Sequence, residues 1–109
     1  MKIKQFVPVL EYVKGLSKRG KHDFLRHATK EFLSIIAELC HNVNSGNLDL
    51  TEAQIKKLRR YKDDIQFMCK KNRSAAQRRS RLQVGGNFFG VLLAQVLPAL
   101  LSTLFPKPQ

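Results

Sequence analysis

An all-α fold is predicted by three features of this 109-residue chain. Apolar residues between positions 24 and 43 recur at three- and four-residue steps, a Thr-x-x-Gln capping motif opens a second amphipathic stretch at 51, and positions 88–105 form a nearly unbroken apolar run of helical length. The expected architecture is a small antiparallel helical hairpin with a short N-terminal helix before it, then a basic disordered linker and a hydrophobic C-terminal helix. The corresponding segments are 1–20, 21–72, 73–87 and 88–109, and the chain has room for one small domain with tails.

Residues 6–14 are expected to form the short helix, with Pro8 tolerated in its first turn. A secretory signal is not expected, because the apolar run 6–10 is too short for one and Glu11 and Lys14 interrupt it. Gly15 and Gly20 bracket the basic connector Lys18-Arg19-Gly20-Lys21. The clearest helix follows over 21–44, with Phe24, Leu25, Ala28, Phe32, Ile35, Ile36, Leu39 and Val43 on one stripe. Asn44-Ser45-Gly46-Asn47 ends it, Gly46 being suited to a left-handed cap.

Thr51 and Gln54 then read as a capping box for a second helix over 52–72. Ile55, Leu58, Tyr61 or Lys62, Ile65 and Met68 form its apolar side, and most of its charge lies opposite. Two such helices joined by a short loop should pack antiparallel, with a core thin enough to favour a homo-oligomer. In a continuous hairpin, Cys40 lies near the loop and Cys69 lies roughly 25 Å along the second helix at ~1.5 Å per residue. A disulfide needs Cα atoms within about 7 Å, so both thiols are expected to be reduced, which suits a cytosolic or nuclear protein.

The charge is concentrated. The net value is +12, and 53–84 holds eleven Lys/Arg against two Asp. The cations are Lys56, Lys57, Arg59, Arg60, Lys62, Lys70, Lys71, Arg73, Arg78, Arg79 and Arg81. Such a block suits phosphate neutralisation with a steep salt dependence, and Arg78, Arg79 and Arg81 are expected to contribute to that slope. With aliphatic side chains no larger than Ala over 70–81, this stretch is expected to be disordered until its charge is neutralised. Base-specific reading would need a rigid recognition helix, so binding without sequence preference is expected, and a helix-turn-helix regulator fits least well. Scattered His22, His27 and His41, with no carboxylate pair or metal-ligand spacing, point to no enzyme, cofactor or metal.

The tail carries Phe88, Phe89, Leu92, Leu93, Val96, Leu97, Leu100, Leu101, Leu104 and Phe105 without a charge. As a helix its eighteen residues span roughly 27 Å, just short of a ~30 Å hydrocarbon core. Flanking arginines suit a C-terminal membrane anchor, whereas Gln95 and Pro98 at the middle suit a protein-buried or membrane-disrupting segment. Both readings stay open. Gly85-Gly86 separates the basic block from the tail as a hinge.

The order of parts resembles that of small virion proteins encoded by adintoviruses and related Maverick/Polinton elements. The resemblance rests on Cys40-His41-Asn42-Val43 in the hairpin, Leu58-Arg59-Arg60-Tyr61-Lys62, the Arg-rich run, Gly-Gly and the Leu-rich end. These proteins are compared with adenovirus core peptides of the mu type, basic segments followed by a hydrophobic stretch. Gln83-Val84-Gly85-Gly86 is similar to Gly-Gly sites cut by adenovirus-type cysteine proteases. The resemblance implies a virion core protein, packed with double-stranded DNA in the particle and host nucleus, that condenses DNA without sequence preference. It also implies contact with capsid protein, cleavage after Gly86 by a viral cysteine protease, and a tail able to perturb membranes. The alternative is a tail-anchored or membrane-active protein on intracellular membranes, whose basic block binds anionic lipid headgroups.

Overall fold

Seven helices account for the regular structure of the chain in a computed structural model, which describes residues 2–84 and 87–105. They are α1 (Lys2–Lys14), α2 (Lys18–Arg26), α3 (Lys30–Asn44), α4 (Glu52–Arg59), α5 (Lys62–Cys69), α6 (Ala75–Gln83) and α7 (Phe88–Leu104). The all-α class is as the sequence predicts. The radius of gyration is 13.1 Å, the value of about 13 Å expected of a packed domain of this length.

Each helix boundary has a local cause. Ser17 caps α2 by accepting a hydrogen bond from the Gly20 amide at 3.0 Å, and Thr29 caps α3 by accepting from Phe32 at 3.0 Å. The helix expected over 21–44 is therefore two helices, because Thr29 offers the backbone a new start one turn after Leu25. At the end of α3, Gly46 adopts φ 71°, its amide donates to Val43, and the Asn47 amide donates to Asn42. This is the left-handed Schellman stop anticipated at Gly46. The Thr51–Gln54 capping box also forms, with reciprocal bonds of 2.9 and 3.1 Å.

The second arm is likewise divided, at Arg60 and Tyr61. The division lets α4 pack on α7 while α5 packs on α3. A straight helix would present Leu58, Ile65 and Met68 to one partner only. The separation expected of the cysteines is corrected by packing: Cys69 is on α5, which lies against α3 beside the buried Cys40. Both thiols are free.

The segment expected to be disordered holds a helix. Ser74 and Gln77 form a second capping box over α6, with bonds of 2.8 and 3.1 Å. Its one large apolar residue, Leu82, is buried in the common core. At the other end of the chain, α1 starts at Lys2 rather than 6, which places Ile3 in the core with Val7, Leu10 and Val13. Pro8 therefore sits mid-helix. It is exposed, as is Lys4, whose carbonyl loses its donor and can turn to water.

The tail supplies the core that the hairpin lacked. Phe88, Phe89, Leu92, Leu93, Val96, Leu97, Ala99 and Leu100 are buried, at about 1.5–3 kcal/mol for each large side chain taken from water. Helix α7 packs on α1 and α4. Phe32 joins the layers, its ring centroid lying 6.3 Å from Phe6, 5.0 Å from Phe24 and 6.4 Å from Phe89. Ala94, Pro98 and Ser102 form a narrow exposed stripe on α7, with Gln95 half-buried beside it. The two residues least suited to the middle of a membrane span thus lie on or beside the solvent side of a core helix. Leu101 and Leu104 are half-buried, and Phe105 is 48% exposed under the Lys4 ammonium.

Candidate nucleic-acid interface

The eleven cations of 53–84 divide into two sets once the chain folds. Lys56, Lys57, Arg59 and Arg60 point outward because Leu58 anchors α4 to the core. Lys62, Lys70 and Lys71 are exposed as well. Among the described residues, the ion pairs are Arg26–Asp23 and Arg81–Asp64, so none of these seven is paired. Seven exposed cations without an ion-pair partner among the described residues are suited to a polyanion.

The other four are drawn into the structure. Arg79 donates from Nε to the Leu25 carbonyl at 3.0 Å and from Nη2 to the Ala28 carbonyl at 2.8 Å. It thereby adds a cation to the C-terminal end of α2, where the helix dipole favours one, beside the Ala28 amide that already donates to the Leu25 carbonyl. Arg81 donates from Nε to Asp64 Oδ1 at 2.6 Å, and its guanidinium lies 4.7 Å from the Phe67 ring centroid. Arg73 lies over the same ring at 3.9 Å. Arg78 donates to the Lys70 carbonyl at 3.1 Å and closes the α5–α6 turn. The Nε atoms of Arg73 and Arg78 are buried without a partner. Arg78, Arg79 and Arg81, expected on a flexible run, lie on a helix instead, and their bonds hold α6 to α2 and α5.

Burial pushes the Cys40 thiol far above its ordinary range, and the neighbouring Cys69 sulfur adds to the effect while the Arg78 charge opposes it. Burial also raises Cys69, again against Arg78. Both side chains thus stay neutral and serve as small packing groups at neutral pH.

A basic group outside the expected set lies on α2, where Lys18, Arg19 and His22 are exposed and Lys21 is half-buried. Lys21 is anchored, its Nζ donating to the Leu16 carbonyl at 2.5 Å. The sequence signal was the short-range density of Lys18-Arg19-Gly20-Lys21, first read as a connector. Between α2, the α4–α5 elbow and the start of α7 lies a hollow of about 310 Å³. Lys18, Lys21 and His22 stand at its rim, and Tyr61 and Phe89 contribute aromatic walls. Of the Gly-Gly cleavage motif, Gln83 ends α6 and donates to the His22 carbonyl at 3.3 Å, and Val84 is 71% exposed. Gly85 and Gly86 lie outside the described residues.

No protein-family model, curated protein or solved structure matches the chain.

Proposed function

We propose that this chain is a non-enzymatic nucleic-acid-binding domain that neutralises double-stranded DNA phosphates without reading sequence. One observation carries the reading: seven outward cations from Lys56 to Lys71 lie on a packed helical scaffold without an acidic partner among the described residues. Phosphate contacts of that kind gain affinity by releasing counterions, and nothing in them distinguishes one base pair from another. The resemblance in order of parts favours a virion core as the setting, with DNA condensation as the task. The tail favours this reading over a membrane anchor, because α7 spends its apolar surface inside the domain. Among the described residues, no single helix is long and apolar enough to cross a membrane.

Titrating the full chain onto random-sequence duplex DNA across a range of salt concentrations tests the proposal. Seven phosphate contacts at ~0.9 each give a slope of log K against log salt of about −6, the same for unrelated sequences. A slope near zero, or affinity confined to one sequence, would overturn it.

A further inference from the structure

We propose that the hollow between α2, the α4–α5 elbow and the first turn of α7 binds a single nucleotide by its base and 5′-phosphate. The inference deepens the nucleic-acid reading and rests on it for the nature of the ligand. The nucleotide is either free in solution or the unpaired terminal residue of a strand, since both present the same chemistry.

The size and lining of the hollow argue for this ligand. A volume of about 310 Å³ lies at the lower end of the roughly 300–1,000 Å³ typical of small-molecule sites, room for one nucleotide and little more. No Asp or Glu lines it, whereas Lys18, Lys21 and His22 stand together at the rim, so an anionic group is favoured there. Lys21 is held in place by its bond to Leu16, and its ammonium has further N–H donors to offer. The half-buried Tyr61 provides a ring surface on which a base can stack, with the buried Phe89 forming the apolar floor behind it. The Tyr61 ring is itself fixed against Phe88, with centroids 5.7 Å apart. Asn87 makes no capping bond with its side chain, so its amide remains available for a base edge.

Gly90 adds an independent argument. Glycine is a weaker helix former than alanine, yet the first turn of α7 carries one where it faces the hollow. A Cβ at this position would lie 3.9 Å from Lys21 Cε, an ordinary contact, so packing does not forbid a side chain there. What a larger side chain would do is fill the space beside the lysine. Gly90 keeps the hollow open.

The test uses the full-length chain and three probes: 2′-deoxyadenosine 5′-monophosphate, a 5′-phosphorylated single-stranded oligonucleotide, and closed circular duplex DNA, which has no strand ends. The mononucleotide should bind saturably. Gly90→Leu should weaken it by at least about tenfold, as a filled pocket loses both stacking and the phosphate bond, while circular duplex binds as before. Lys18→Ala, at an exposed position, should weaken the mononucleotide by about fivefold to tenfold through loss of a charge-assisted contact. Weakening of the oligonucleotide as well as the mononucleotide by Gly90→Leu identifies a strand end as the ligand; weakening of the mononucleotide alone identifies the free nucleotide, since the outward cations bind any strand. Absence of saturable binding to either overturns the proposal, as does unchanged binding in both variants. If Gly90→Leu melts below the parent, Lys18→Ala decides alone. Loss of circular-duplex binding by the parent would instead sink the broader DNA reading, and mononucleotide binding would still report on the hollow.

Discussion

The α4 face and the α6 helix are both strongly basic, with four and three cations, and their side chains turn in opposite directions. Lys56, Lys57, Arg59 and Arg60 surround a single buried Leu58 and project into solvent. Arg78, Arg79 and Arg81 surround a single buried Leu82 and reach back to carbonyls, a carboxylate and an aromatic ring. What differs is the neighbourhood each helix is packed into. Helix α4 lies over α7, which carries no carboxylate. Helix α6 lies beside the C-terminal end of α2, where the helix dipole favours a cation, and beside Asp64 in the first turn of α5. Charge density therefore locates polyanion-seeking surface only where the fold has left the charges unspent.

The largest effect should follow from neutralising the outward set. Replacing Lys56, Lys57, Arg59 and Arg60 with Ala should make the salt slope shallower by about 3 to 4 units and weaken duplex binding roughly a thousandfold near 0.1 M salt. The melting temperature should hardly move, since exposed substitutions of this kind usually lie within about 0.5 kcal/mol each. An unchanged slope would place DNA elsewhere on the molecule.

The inward set should give the reverse pattern. Arg79→Ala removes the guanidinium donors at Leu25 and Ala28 and leaves the end of α2 with its backbone cap alone. Each hydrogen bond made by a charged group is worth about 1.5–3 kcal/mol before screening, so with partial exposure the loss should be about 2–3 kcal/mol, read from urea denaturation. The salt slope of the folded variant should equal that of the parent. A variant as stable as the parent but with a flatter slope would assign Arg79 to DNA and dissolve the distinction.

This division explains how far the sequence was legible. The apolar stripe from Phe24 to Val43, the Gly46 stop and the Thr51–Gln54 box were readable because each depends on residues within one or two turns. Ser74-Ala75-Ala76-Gln77 carries the same capping pattern, yet it was masked by a composition that reads as disorder. The breaks at Thr29 and Tyr61 were hidden because the three- and four-residue spacing runs across them; the choice of separate packing partners decides them. The tail was ambiguous for a physical reason, since an apolar helix of seventeen residues is equally suited to lipid and to a protein interior. Only its partners, α1 and α4, settle its place in this fold. Local charge likewise could not show that Arg79 meets α2, more than fifty residues earlier.

The smallest predicted effect is also the most direct probe of which way a guanidinium faces. Arg78 favours the thiolate at both Cys69 and Cys40, while burial disfavours it. Replacing Arg78 with Gln removes the favourable charge, so the Cys69 thiol should become harder to deprotonate. Because the thiolate is the reacting species, alkylation of Cys69 at fixed alkaline pH should slow. Arg60→Gln, on the outward face, should leave the rate unchanged. Cys40 is fully buried and should react only on unfolding, so a Cys40→Ala background would isolate the Cys69 signal. Equal rates in the Arg78 and Arg60 variants would mean that α6 does not present its arginines inward. Slowing confined to Arg78→Gln would tie the electrostatics of the thiols to the same packing that turns these arginines inward.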